Sequence, residues 1–263
     1  MIARRPENAR APDSVVALAD GSPLTAVWQN ELGGLTFTWT ADGVRRFVKW
    51  APPGAGTDLG GEASRLRWAA PFTSVPRVVG TGRDSAGSWL VTEGLPGENA
   101  VSPRWTANPE PAVVAIGHGL RRLHDRLPVE QCPYWWTASG RIEAALRRRD
   151  AVATFAGRHA EHAELTFDGA VALLARPPAD DRLVVCHGDA CAPNTVLDDA
   201  GHVTGHVDLG SLGVADRWAD LAVATWSLAW NFGPGWDDTL LDAYGVAPDP
   251  LRTAYYRLLW DLG

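Results

Sequence analysis

Lysine is almost missing from this 263-residue chain: lysine and arginine together number 24, and Lys49 is the single lysine among them. A GC-rich coding bias toward Arg, Ala, Gly and Pro accounts for the scarcity, but not for the position of the exception. Cysteine is scarce too. Cys132, Cys186 and Cys191 form an odd, sparse set, which excludes a disulfide framework and fits a cytoplasmic protein. Long apolar runs are absent. The longest, Leu221 to Trp230, is interrupted by Thr225 and Ser227 and is too short to span a bilayer, so no membrane partner is expected. At the start, the basic Arg4-Arg5 pair has no apolar stretch behind it, which argues against a secretory signal. Positive charge is in deficit as well. A net charge of -7 leaves no basic face for a phosphate backbone and excludes nucleic acid as an expected partner. The same charge suits a cationic small molecule, and it also serves solubility.

Several catalytic signatures are also lacking. No glycine immediately precedes Lys49, so there is no Walker A loop, and no Gly-x-Ser-x-Gly elbow offers a nucleophile for hydrolysis. Gly54 to Gly60 misses the dinucleotide spacing by one residue and follows Pro52-Pro53 rather than a strand. Cys186, His187 and Cys191 have no second Cys or His cluster to complete a four-ligand set, so zinc is not expected. Neither an internal repeat nor a low-complexity tract occurs.

What remains is an ordinary globular composition, 46% hydrophobic and 21% charged, in a chain long enough for one large core or two modest lobes. Within it the stretch Val184–Gly210 stands out. Val184-Val185 reads as a strand that carries Asp189 out at its end. Thr195-Val196-Leu197 reads as a short strand that follows Asn194, and Asp198-Asp199-Ala200-Gly201 as the hairpin turn into His202–Val207. That hairpin returns Asp208 toward Asn194. A carboxylate able to take a proton from a hydroxyl, an amide five residues on and a second carboxylate across a hairpin make the catalytic-loop and metal-loop spacing of kinases. Asp189 is then the base for an acceptor hydroxyl. Asn194 and Asp208 are oxygen ligands for Mg²⁺ against the nucleotide phosphates. His187 is expected to brace the loop.

The lone lysine fits the same chemistry. Lys49 ends the strand-like run Arg45–Trp50, where a slim ammonium can reach the α- and β-phosphates more readily than a broad guanidinium. Glu62, thirteen residues later on a helix capped by Asp58, can reach back to hold that ammonium. Gly33 and Gly34 lie in the turn between two expected strands, where their amides can approach phosphate oxygens, although such a pair also serves any tight hairpin.

Along the chain, residues 1–95 read as a small strand-rich lobe with strands at 25–28, 35–39, 46–49 and 89–92, followed by a hinge at Gly94-Leu95-Pro96-Gly97. Residues 96–263 read as a larger helical lobe, with helices at 111–127, 140–155, 167–174, 218–232, 236–244 and 251 to the end. Val113, Ile116, Leu120, Leu123 and Leu127 mark the core face of the first. The fold class is α+β.

The segments His187–Asn194, Val207–Gly210 and Gly213–Ala222 closely resemble aminoglycoside phosphotransferases, the 3′-type above all. The likeness continues through Phe47-Val48-Lys49, Trp89–Gly97, Arg122-Leu123-His124, Gln131-Cys132-Pro133 and Ala254–Leu259. The resemblance implies a bilobal, protein-kinase-like fold that transfers the γ-phosphate of ATP, or of GTP, to an aminoglycoside hydroxyl and confers resistance. It further implies that Phe47 stacks on adenine, that Thr92 and Gly94 offer hinge backbone, and that Asp220 anchors the catalytic loop. Two features depart from the family pattern: Ser211 stands where the 3′-type usually has arginine, and the chain ends Trp260-Asp261-Leu262-Gly263 rather than in an acidic pair followed by aromatics. Streptomycin 3″-kinases share much of the same catalytic sequence, so they stand as an alternative, as do kinases of other small hydroxyl compounds. A silent nucleotide-binding regulator would be a different class, marked by loss of Asp189, Asn194 or Asp208, and all three are present.

Independently of the resemblance, only seven residues separate Gly210 from the helix at Trp218. That is too few for a long activation segment with a peptide platform, so a protein substrate is not expected. For a polycationic drug, carboxylates are expected from Glu161, Glu164 and Asp168 in the insert before the catalytic strand. Asp261 and the terminal carboxylate of Gly263 are expected to add to them.

Overall fold

The computed structural model describes residues 9–30, 33–147 and 159–262. The chain divides into two compact units, Met1–Glu98 with Val196–Gly210 and Asn99–Thr195 with Ser211–Gly263. The break thus falls between Glu98 and Asn99 rather than at 95/96, and the hairpin expected in the second lobe groups with the first.

In the first unit a short helix α1 (Asp13–Leu18) precedes β1 (Thr25–Gln29), β2 (Leu35–Ala41) and β3 (Val44–Ala51). Helix α2 (Leu59–Ala69) is followed by β4 (Val78–Arg83) and β5 (Ser88–Glu93). The five strands form one antiparallel sheet in the order β1-β2-β3-β5-β4. Strand alternation sends Phe37, Trp39, Val48 and Val91 into a core shared with Val15 and Ala19 of the α1 segment. The opposite face is left for Lys49. Strand β4 has no counterpart in the sequence reading, because Gly80 and Gly82 break its apolar pattern. The reason for Gly82 is steric: a Cβ there would lie 2.2 Å from the Trp89 ring on the neighbouring strand. The two-residue β6 (Glu98–Asn99) ends the segment.

The second unit begins with α3 (Pro103–Ala107), α4 (Pro109–Arg126), α5 (Ala138–Arg147) and α6 (Phe167–Leu174), then β7 (Leu183–Cys186). The expected helix 140–155 is described as far as Arg147, and its remainder lies outside the described residues. The next two strands, β8 (Thr195–Leu197) and β9 (Val203–His206), flank the Asp198–Gly201 turn, where Asp198 Oδ1 accepts from Ala200 N and His202 N at 2.9 and 2.8 Å. After the hairpin come β10 (Gly213–Asp216), α7 (Trp218–Phe232), α8 (Asp237–Tyr244) and α9 (Pro250–Leu262). Strand β10 pairs antiparallel with β7, Val214 opposite Val185. The connector expected between Gly210 and Trp218 is therefore partly a strand. Helix α4 packs on α8, and α7 on α9. Their contact faces carry the fully buried Ile116, Leu120, Leu123, Leu240, Leu221, Leu228 and Leu259, so the helical unit is held by aliphatic side chains at 3.6-residue spacing. Among the described residues no helix is long and apolar enough to cross a membrane.

Candidate active site

In the first unit the single lysine sits between two carboxylates. Lys49 Nζ lies 2.7 Å from Glu62 Oε1 and 2.7 Å from Asp208 Oδ1, with the three side chains 28%, 7% and 48% exposed respectively. Local sequence accounts for each position. Lys49 is flanked in register by Thr36 and Leu90 on a central strand. Glu62 occupies the first turn of α2, whose start is fixed by Asp58 Oδ1 accepting from Gly61 N at 2.8 Å. Asp208 leaves the β8–β9 hairpin with φ at 65°, a left-handed conformation rare outside glycine, and its carboxylate meets the ammonium from there. Burial opposes the charge on Lys49, but Asp208 and Glu62 outweigh it and hold the ammonium above the ordinary lysine range.

Around the expected adenine position the same sheet brings Phe47 opposite Thr92. Gly94 N donates to Arg45 O at 2.7 Å, and a Cβ on Gly94 would fall 2.8 Å from the Phe47 ring. Arg45, unremarked in the sequence, lies with its guanidinium 5.3 Å from the Phe47 ring centre and donates to Leu95 O and Gly97 O at 2.8 and 3.0 Å. It ties the expected hinge to β3. Gly33 has φ at 79°, and Gly34 N donates to Asn30 Oδ1 at 2.6 Å. That bond shows the glycine pair serving its own turn as well as any ligand. Residues 31 and 32, between Asn30 and Gly33, lie outside the described residues.

In the second unit Asp189 follows β7 and is half buried. Its amide donates to His187 Nδ1 at 3.3 Å, while Asn194 Nδ2 donates to Asp189 O at 2.9 Å and lies 3.4 Å from Oδ2. Asp189 and Asn194 are thus joined directly. Underneath, the fully buried Asp220 accepts from His187 N at 2.6 Å and Gly188 N at 2.8 Å, and its Oδ2 lies 2.9 Å from His124 Nε2. His124 Nδ1 is in turn 2.8 Å from the Tyr244 hydroxyl. Burial pushes the Asp220 carboxyl up, but His124, His187 and the Gly188 amide outweigh that push and hold it below the usual carboxylate range. Gly188 is required by geometry: its φ is 82°, and a Cβ would stand 2.2 Å from Ser211 O.

This network supports a stability prediction. Asp220→Asn keeps the shape but turns an N–H₂ toward a donor, leaving at least one buried polar group unmatched. We expect a loss of about 3 kcal/mol, seen as a Tm lower by about 6–12 °C in a thermal melt. An unchanged Tm would show that Asp220 does not hold the loop. Because the folded-state pKa is depressed, the carboxylate's contribution is present above the unfolded aspartate value and is lost as pH falls through the folded one. The wild-type advantage over Asp220→Asn should therefore shrink only on acidification.

The expected drug-binding acids part company. Glu161, Glu164 and Asp168 are exposed, and Glu161 lies 3.7 Å from Arg257, which also reaches Asp237 at 3.1 Å. Asp261, expected to add a carboxylate to the drug site, is only 2% exposed. Its Oδ2 lies 2.8 Å from His162 Nδ1 and its Oδ1 3.5 Å from His159 Nε2. The physical reason is helical: Asp261 falls on the buried face of α9 with Leu258, Leu259 and Leu262. Above it His159 stacks on Trp230 at 4.7 Å and 8°, and is tilted against Trp226 and Trp260 at 4.2 and 5.8 Å. Gly263 lies outside the described residues.

Arg45, His124, Tyr244 and Ser227 had no site role in the sequence reading. Only His124 carried a signal, because it follows Leu120 by four residues on the core stripe of α4 and so had to be a buried histidine with partners.

Residues 35–256 match a family model described as "Phosphotransferase enzyme family". An aminoglycoside 3′-phosphotransferase from Streptomyces fradiae is 42% identical over 224 residues, covering 80% of this chain and 81% of the relative. Among solved structures, an aminoglycoside-3′-phosphotransferase of type VIII is 35% identical with a TM-score of 0.83, covering 95% of this chain and 98% of that one. The aminoglycoside phosphotransferase APH(3″)-Id from Streptomyces rimosus, solved in complex with ADP and streptomycin, is 28% identical with a TM-score of 0.73 over 96% and 99% of the two chains.

Proposed function

From the premise that this chain belongs to the phosphotransferase enzyme family, we propose that it is a cytoplasmic small-molecule kinase conferring resistance by moving the γ-phosphate of ATP, or of GTP, to an aminoglycoside hydroxyl. One observation carries the reading: the only lysine of the chain is held at 2.7 Å by both a helix carboxylate and the carboxylate that follows the hairpin. Pairing with the buried Glu62 accounts for one of the two contacts, and the second, to the carboxylate that follows the hairpin, is the placement a phosphate clamp needs. The names of the relatives and the ADP and streptomycin of one solved neighbour support the same substrates.

In this reading Asp189 accepts the proton of the attacking hydroxyl, Lys49 holds the nucleotide phosphates with Glu62 as its brace, and Phe47, Thr92 and Gly94 receive the adenine. Gly33 and Gly34 approach the phosphates. Asn194 and Asp208 fit Mg²⁺ by donor chemistry, since Asn194 spends its N–H₂ on Asp189 and keeps its amide oxygen for a hard cation. The ion would supply charge neutralisation at the transferring phosphate. Glu161, Glu164 and Asp168 form the acidic approach for a polycation, with Asp261 acting through His162.

Nucleotide-coupled assays against kanamycin, neomycin, streptomycin and a macrolide test the reading. Turnover with an aminoglycoside is expected, and turnover with none of them would refute it. Streptomycin stays on the panel because Ser211 replaces the arginine usual in the 3′-type. If the exposed acids attract the drug, its KM should climb with ionic strength between roughly 0.01 and 0.2 M. The combined Glu161→Gln, Glu164→Gln variant should flatten that climb while leaving nucleotide KM unaltered. A salt-independent drug KM in wild type would remove these residues from the site.

A further inference from the structure

The carboxylate read above as the base is gripped by a neighbour that the reaction scheme leaves unused. Cys191 Sγ lies 3.1 Å from Asp189 Oδ1, at the distance of a thiol donating to a carboxylate. The loop presents it there by its own turn: Cys191 N donates to Asp189 O at 2.8 Å and Asn194 N to Cys191 O at 2.9 Å. Behind the sulfur stands Ser227 of α7. Ser227 Oγ accepts from Ala192 N at 2.9 Å and lies 3.2 Å from Asn231 Nδ2, whose stronger bond, at 2.7 Å, is to Ser227 O. These bonds anchor to α7 the loop that carries the sulfur. The thiol proton is then directed at Asp189.

We infer that Cys191 is a positioning residue for phosphoryl transfer: its thiol, donating to Oδ1, fixes the rotation of the Asp189 carboxylate. Burial and the adjacent Asp189 push the Cys191 thiol well above its ordinary range, so it stays a donor at neutral pH rather than a competing anion. Asn194 touches the other oxygen, Oδ2, at 3.4 Å. The two contacts leave the carboxylate no free rotation about its own axis.

The inference rests on Asp189 being the base, and its test separates the two claims. Cys191→Ala removes the donor and Cys191→Ser restores a shorter one. In single-turnover measurements with ATP and the best aminoglycoside, Cys191→Ala should slow phosphoryl transfer about fivefold, the worth of one ordinary hydrogen bond. KM for both substrates should stay within twofold. Cys191→Ser should bring the transfer rate back most of the way. Equal transfer rates for wild type and Cys191→Ala would overturn the proposal. A second readout needs no turnover: the S–H infrared band lost in Cys191→Ala should lie at lower frequency in wild type than in Asp189→Ala. An unshifted band overturns the contact itself, whatever the substrate. A shifted band in a protein that phosphorylates no aminoglycoside would keep the contact, sink the functional reading and with it the positioning role.

Discussion

Asp189→Ala is expected to lower the single-turnover rate of phosphoryl transfer by about 10²–10⁴-fold, the range typical of a positioned general base. Nucleotide affinity, measured by fluorescence titration, should remain within about twofold. The split follows from where the residue sits. Asp189 is carried on the β7 loop, bonded to Asn194 and Cys191 and seated over the Asp220 network. The phosphate-clamp candidates Lys49, Glu62 and Asp208 belong to the other compact unit. Asp189 takes no part in the two 2.7 Å contacts that hold Lys49. The fold should survive as well, since Asp220 is satisfied by the His187 and Gly188 amides and by His124, none of which is lost. Single turnover is the right measurement, because a slow product release would hide part of the effect in steady-state kcat. A variant that kept more than about a tenth of the wild-type rate would be outside the range for a base, and the assignment would fall.

How much of this was legible beforehand depends on whether a feature is local. The strands Thr195–Leu197 and Val203–His206 and the turn between them follow from alternation and an Asp-Asp-Ala-Gly turn, and helices 167–174 and 218–232 were read to the residue from apolar periodicity. The Lys49–Glu62 contact was legible because a helix capped by Asp58 places Glu62, thirteen residues on, where it can reach back to the strand lysine. Strand β4 was not, since Gly82 is dictated by the Trp89 ring from a neighbouring strand and not by any local preference. Nor was the interior position of Asp261: an acid two residues from the chain end reads as solvated unless the partner histidines His159 and His162, about a hundred residues away, are known. The Ala192–Ser227 bond that ties the catalytic loop to α7 was hidden for the same reason, because Ser227 looked only like a polar interruption of an apolar helix. Non-local pairing, not weak propensity, is what the chain conceals.

Lys49 carries the second large expectation, and it separates charge from shape. Lys49→Arg keeps the charge but must place a planar fork where one nitrogen now meets Glu62 and Asp208 at 2.7 Å each. Transfer should slow by about 10²-fold through misplaced phosphates, with denaturant midpoint nearly unchanged. Lys49→Met keeps the length and loses the charge, which strands the almost fully buried Glu62. Breaking a fully buried pair costs about 3–5 kcal/mol, and the partial exposure of Lys49 brings the expected loss of stability to about 2 kcal/mol. The pH dependence has a definite sign. Since the folded-state pKa of Lys49 is raised, its contribution is complete below the unfolded lysine value and is lost only as pH rises through the higher folded one. The stability difference between wild type and Lys49→Met, followed by denaturant titration, should contain no lysine-dependent decline from about pH 6 to 9, both below the unfolded value of about 10.4. Full activity in Lys49→Arg would show that the ammonium is structural and that the phosphates are held elsewhere. Full stability in Lys49→Met would show that Glu62 finds its counter-charge in another residue. The clamp requires both losses, each in its own variant, because one lysine is asked to neutralise two acids in the resting protein and to exchange part of that role for phosphate when nucleotide binds.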